Sequence, residues 1–397
     1  MNRRQFIQQT SLVSTSLFFP NFLKTPQHTS LSTNGKVLVI VQFSGGNDGL
    51  NTVVPYRNDI YYKERPSLAI TPKEVLDLTD EMGLNPALEK LKKLYDQGEV
   101  AILNNVGYPN PDRSHFRSMD IWHSASNANQ YLDTGWLGRY LDAECTACTN
   151  SYKAIEVDDT LSLALKGSYK TGLAVRNPER LYNATRDPYL EAIAHAEPIG
   201  LDPNSNLNYL YKTLSDTFTS AERVYEYAQK YHSTAIYPAS PFANNLKTIA
   251  ELILSGMDTK VYYVSLGTFD THVNQRGQQD RLLRQYAEGM EAFARNLKQH
   301  NRWQDIVVMT FSEFGRRVQQ NGSGGTDHGT ANNIFLLGGG LKKAGVLNAS
   351  PNLSDLDEGD LIYRLDFRRI YATLLDRWLA TDHQKVLNQT FDLLNFV

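Results

Sequence analysis

The run VLVIVQF at 37–43 constrains the fold most. It is almost unbroken in apolar and β-branched side chains, which suits a strand covered on both faces. Similar runs follow at 99–106, 261–266 and 306–308. Between the first two, Leu88, Leu91 and Leu94 recur at helical spacing over 85–98, and Gly98 stands where a helix would close. Further helices are predicted over 241–256, where Leu246, Ile249, Leu252 and Ile253 share a face, and along Leu282, Tyr286, Met290, Phe293 and Leu297. Strands 333–337 and a C-terminal helix near 366–380 complete the pattern. Buried strands alternating with helices give the β-α-β rhythm of a largely parallel sheet. In such a sheet the loops leaving the carboxyl ends of the strands gather on one rim, where ligands bind.

The 397 residues suffice for one large domain or two ordinary ones, and we read a single α/β domain over 35–397. The stretch at about 135–241 reads as a helix-rich insertion, with short strands near 153–157 and 173–175 and one long helix predicted over 206–231. Hydrophobic residues at 41% and charged residues at 21% belong to a globular chain. A net charge of −3 with no basic block argues against a nucleic-acid partner. At the N-terminus, Arg3-Arg4-Gln5-Phe6-Ile7 precedes an apolar run from Ser11 to Phe19 that is too short and too rich in Ser and Thr to span a bilayer. We read residues 1–34 as a twin-arginine export signal and linker, which implies a periplasmic or extracellular protein. No other segment is long and apolar enough for a transmembrane helix. Cys145 and Cys148 form a C-x-x-C pair without the further ligands zinc would need, so we read them as a structural or redox-inert pair.

Four loops carry chemistry. The first strand runs into SGGNDGLNT, which places Asp48 at its carboxyl edge. The second runs into YPNPDRSHFRSMD, where Asp112 or Ser114 stands as the cap of a helix reaching about residue 124. A hydroxyl at a helix N-terminus sits in a positive partial field, so Ser114 is a candidate nucleophile with His115 beside it, although capping alone is the ordinary role of such a serine. The third strand ends in Gly267-Thr268-Phe269-Asp270-Thr271-His272; two apart in extended backbone, Asp270 and His272 face one side and can bind one ion, or Asp270 can orient His272 by a hydrogen bond. The fourth ends in Ser312-Glu313, and a Gly-rich loop then brings back Asp327-His328. The plainer alternative pairs Glu313 with Arg316 or Arg317 and leaves Asp327-His328 as a solvated turn. Asp48, Asp270, His272, Glu313, Asp327 and His328 together make a set of carboxylates and imidazoles with no free thiolate, which suits divalent Zn, Mn, Mg or Ca. A site with that many ligands can hold two ions, which clamp the oxygens of an in-line displacement at phosphoryl or related esters.

The paired-arginine start, FSGGNDGLNTVVPY, RSHFRSMDIWHS, GTFDTHVNQ and SEFGRR…GTDHGTANN resemble the domain of unknown function 1501 family over nearly the whole chain after the signal. That resemblance implies membership of the alkaline phosphatase and sulfatase superfamily, a three-layer α/β/α sandwich and a metal-dependent hydrolase ancestry. By position Asp48 is similar to the first-strand metal ligand and Ser114 to the nucleophile, while Asp270 with His272 resembles the Asp…His ligand pair, here separated by one residue instead of three. His328 resembles the last ligand. Glu313 falls where the superfamily carries Asp-His, and Phe314 takes the place of that His, which leaves one metal or none. Pro111 and Arg113 fit the sulfatase signature, but Pro109 occupies its nucleophile position, so a formylglycine sulfatase is not expected. The reading is an exported metal-dependent hydrolase of phosphate or sulfate esters, with an anionic ester or polysaccharide substrate, Ser114 attacking and Arg113 steadying the anion. The alternative is a non-catalytic cell-envelope binding protein that keeps the hydrolase fold.

Overall fold

Along β1 (Val37–Phe43), Val37, Val39, Val41 and Phe43 enter one hydrophobic core while Leu38 and Ile40 enter another. That alternation, with every residue of the strand buried, means that both faces of the sheet are covered. On the first face lie α1 (Glu89–Asp96), α4 (Pro241–Leu254) and α5 (Gln275–Gln299); on the second lie α2 (His115–Ser124), α3 (Trp136–Glu144) and α6 (Phe367–Thr373). The result is a three-layer α/β/α sandwich. The computed structural model describes residues 35–144, 151–195 and 206–397. The export signal read in 1–34 and the Cys145/Cys148 pair lie outside the described residues.

The other strands of the main sheet are β2 (Val100–Gly107), β3 (Ala154–Glu156), β4 (Leu173–Ala174), β5 (Val261–Leu266), β6 (Ile306–Ser312), β7 (Asn332–Leu337), β8 (Gly345–Val346) and β9 (Leu365–Asp366). Their order is β8-β2-β7-β6-β1-β5-β3-β4, with β9 also paired to β2. β1 lies between β5 and β6 in parallel, with Phe43 opposite both Leu266 and Ser312. The carboxyl ends of these three strands therefore finish level, and the loops that leave them start side by side. β7 differs from the expected parallel arrangement, because it pairs antiparallel with both β2 and β6. Its direction follows from its connection: a hairpin, Arg316–Gln320 with Thr326–His328, turns the chain straight back from the end of β6 without a crossover helix. The amino end of β7 thus joins the same rim.

Part of the stretch expected as an insertion is helical, including Pro178–Thr185 and Asn206–Lys230, but β3 and β4 extend the main sheet. Among the described residues no helix is long and apolar enough to cross a membrane. On β3, Glu156 is buried and its carboxylate accepts a hydrogen bond from the Ser162 backbone at 2.6 Å. Burial raises its pKa from 4.5 to about 7. A carboxyl group raised in this way keeps its proton in the folded protein after the unfolded chain has lost it, so stability falls as pH rises from about 4.5 through about 7. Denaturant titrations should reveal a loss on the order of 3 kcal/mol across that window, and Glu156→Gln should flatten it. An identical slope in both proteins would contradict the assignment.

Candidate metal centre

Gly45 and Gly46 let the loop after β1 fold tightly against its neighbours. Their φ angles are 117° and 73°, and a Cβ would lie 2.4 Å from the Asp270 backbone nitrogen at Gly45 and 2.3 Å from the Phe314 ring at Gly46. The loop after β5 is also held in an uncommon shape. Thr268 has φ 71°, a left-handed conformation that costs a β-branched residue about 1–3 kcal/mol, and Gln278 bonds its carbonyl at 2.6 Å. These two loops and the hairpin after β6 meet at Arg316. Its guanidinium, wholly buried, donates to the carbonyls of Gly46 at 2.6 Å, Phe269 at 3.0 Å and Thr326 at 3.1 Å, to Gly45, and to the Asp270 carboxylate at 2.8 Å.

Around the same Asp270 oxygen stand three imidazoles. The Nε2 atoms of His272, His328 and His115 lie 2.9, 3.3 and 3.5 Å from Asp270 Oδ1, and His272 Nε2 is 3.1 Å from His328 Nε2. Each Nδ1 faces an acceptor: Glu313 Oε1 at 2.9 Å for His115, the Arg113 carbonyl at 2.8 Å for His328, and Asp327 Oδ1 at 3.5 Å for His272. A carbonyl can only accept, so the proton of neutral His328 sits on Nδ1 and its Nε2 presents a lone pair. The carboxylate of Glu313 imposes the same tautomer on His115, whose buried Nε2 has no hydrogen-bond partner. Lone pairs and a carboxylate turned on one point repel each other unless positive charge lies near, and the Arg316 guanidinium, 2.8 Å from Asp270 Oδ1, supplies part of it. A tetrahedral zinc site with bonds of about 2.0–2.1 Å has ligand atoms roughly 3.3–3.4 Å apart, close to the 3.3 and 3.5 Å that separate His328 Nε2 and His115 Nε2 from Asp270 Oδ1. The residues present therefore fit a divalent metal: His115, Asp270 and His328 each offer a ligand atom within 4.8 Å of the others, and His272 stands beside Asp270 and His328, while Glu313, Asp327 and the Arg113 carbonyl face the rings from behind.

The electrostatics agree with that division. Burial pushes the Asp270 carboxyl up, but the hydrogen bond and charge of Arg316, then His328 and His272, outweigh it and bring the pKa down to about 2. The hydrogen bond to Glu313 raises His115, whereas burial lowers His328.

Of the residues expected at the site, the side chains of Asp270, His272 and His328 come together, and Glu313 and Asp327 stand one step behind them. Asp48 does not join them. Its carboxylate is buried against Arg65, with neither side chain exposed, and takes a further hydrogen bond from Gln275, so its charge is already balanced. Arg113 also departs from expectation: its guanidinium pairs with Asp360 and, at 3.6 Å, with Glu358, and only its carbonyl reaches the cluster. Ser114 is the residue before α2, exposed, and its hydroxyl makes no capping bond. His115, read from sequence as the companion of Ser114, turns its ring to the same Asp270 oxygen; its place in the first turn of α2 gave no sign that Glu313 would turn its ring. Phe314 packs its ring 4.8 Å from those of His115 and His328 and fills the space of the missing imidazole.

Residues 100–394 match the family described as "Protein of unknown function (DUF1501)". No curated protein matches the chain. Among solved structures, it is similar to the PsFucS1 sulfatase from Pseudoalteromonas sp. at 12% identity and TM-score 0.41, covering 91% of this chain and 71% of that one. It is also similar to the phosphonate monoester hydrolase SpPMH from Silicibacter pomeroyi at 7% identity and TM-score 0.36, covering 79% and 70%. A zinc complex of the C-terminal periplasmic domain of EcEptC from Escherichia coli matches at 11% identity and TM-score 0.33, covering 77% and 74%.

Arg316→Met would strip the donor from four backbone carbonyls and the partner from Asp270. We expect a loss of about 3–5 kcal/mol in denaturant unfolding at neutral pH. A loss below about 1 kcal/mol would mean that the loops hold together without it.

Proposed function

The chain belongs to the DUF1501 family, and from that premise we propose that it is a metal-dependent hydrolase of phosphate or sulfate esters, exported by the twin-arginine route and working with a single divalent ion. The observation that carries this reading is the convergence of three Nε2 atoms on Asp270 Oδ1, each ring braced through Nδ1. His115, His272, His328 and Asp270 would hold the ion. When bound, it supplies a Lewis acid that draws charge from an ester oxygen and favours an ionised hydroxyl or water. A nitrogen-rich set of this kind suits zinc better than magnesium or calcium, which prefer oxygen.

The other residues orient and attack. Ser114 precedes His115 at the start of α2, with an exposed hydroxyl that is not spent on capping, and we assign it the attack on the ester centre. The free backbone N–H groups of the first turn of α2 favour an anion there, a role sequence reasoning gave to the Arg113 side chain. Glu313 holds the His115 ring and keeps its proton on Nδ1. Asp48, locked by Arg65, and Phe314, in place of an imidazole, leave no second ligand set at this rim among the described residues, which is why we propose one ion here and not two.

One observation favours the alternative of a non-catalytic cell-envelope binding protein. Arg316 already places a positive charge 2.8 Å from Asp270 and 3.4 Å from His272 Nε2, so part of the work of a cation is done by the chain itself.

Elemental analysis of the purified protein separates the two. We expect about one zinc per chain, lost in His328→Ala, and metal-dependent turnover of p-nitrophenyl phosphate or sulfate that Ser114→Ala abolishes while metal content is unchanged. Glu313→Gln should weaken zinc binding by about 10–100-fold. Protein that stays metal-free after incubation with zinc and manganese would refute the proposal, and protein that holds zinc but leaves both esters intact would favour the binding reading.

A further inference from the structure

A cavity lies at the edge of the main sheet, formed by residues outside the histidine cluster. β2 carries a bulge there: Val106 pairs with Asn332 and Leu103 with Ile334, so Asn104 and Asn105 together oppose Asn333. Asn105 takes the extra position with φ 53°. Asn104 is spoken for, since it accepts from Asn333 at 2.9 Å and its backbone bonds the Asn348 side chain through both N–H and carbonyl at 2.7 Å. Asn105 is not. It is only 6% exposed, and its carboxamide bonds no described residue.

That carboxamide opens into a cavity of about 590 Å³, whose apolar wall includes Leu103, Leu347, Leu365 and Phe396. Of the charged residues lining it, Arg364 pairs with Asp355 at 2.5 Å, whereas the exposed Lys343 faces no carboxylate among the described residues. The bulge turns the Asn105 carboxamide toward the cavity that it lines. The volume is that of a small-molecule site, with an apolar lining and a few polar groups to fix orientation.

We propose that this cavity binds a small amphiphilic carboxylate. Its apolar chain lies on the leucines and Phe396, the Asn105 carboxamide bonds a polar group along it, and Lys343 answers its negative charge. The class is defined by an acyl chain, an amide or carboxyl oxygen, and an anionic end. Ester turnover at the histidine cluster is not required for it.

Titration calorimetry of the full chain with N-octanoylglycine tests this. Saturable binding is expected, weakened about tenfold or more by Asn105→Asp, which tolerates the left-handed backbone but repels the anion. Lys343→Gln, at an exposed position where folding is not at stake, should weaken it by about tenfold, as should replacing the ligand with the neutral N-octanoylglycinamide. Treatment with a chelator should leave the affinity unchanged. No saturable binding up to millimolar ligand, or equal affinity in the wild type and both variants, would overturn the proposal.

Discussion

The loops after β1 and β5 and the hairpin after β6 are anchored to one buried guanidinium. Arg316 spends its donors on the carbonyls of Gly45, Gly46, Phe269 and Thr326 and on the carboxylate of Asp270, so three segments distant in sequence are cross-linked by hydrogen bonds to a charged group. Such bonds are stronger than those between neutral groups, and around a wholly buried guanidinium they have no cheap substitute. The left-handed backbones of Gly45, Gly46 and Thr268 are the conformational cost of bringing carbonyls into reach. Arg316 also sets the electrostatics: it keeps Asp270 ionised, which gives the three imidazoles a fixed negative charge to face.

The imidazoles depend on a second layer. A histidine ring free to rotate is a poor ligand, and here Glu313 and the Arg113 carbonyl each accept from one Nδ1, with Asp327 Oδ1 3.5 Å from the third. Glu313 is itself fixed by the Gly45 backbone at 2.8 Å and the Ser312 hydroxyl at 3.0 Å, so the end of β6 and the loop after β1 determine the aim of His115 on another element. The level finish of β1, β5 and β6 makes that geometry available, because it starts all three loops at one height on the rim.

Much of this was legible in the residues. β1, β5 and β6 are continuous apolar runs because both faces are buried, and Asp270 with His272 reads as a same-side pair because extended backbone repeats every two residues. Other features left no trace. Apolar composition carries no direction, so the reversed β7 could not be read. Asp48 has the chemistry of a ligand, and only the fold brings Arg65 and Gln275 onto it. The plain pairing of Glu313 with Arg316 was half right in kind and wrong in partner: Arg316 meets Asp270 and Glu313 meets His115. His115 was noticed for its neighbour Ser114, since a ligand is recognised by what faces it across space.

The account stands on three imidazoles and one carboxylate acting as the ligands of a metal ion. X-ray absorption at the zinc edge of the purified, zinc-loaded protein measures that directly. It should give a four-coordinate ion with nitrogen and oxygen neighbours at about 2.0–2.1 Å and outer-shell scattering from about three imidazole rings. A six-coordinate ion surrounded by oxygen, with no imidazole scattering, would mean that the histidines of this cluster serve some other purpose.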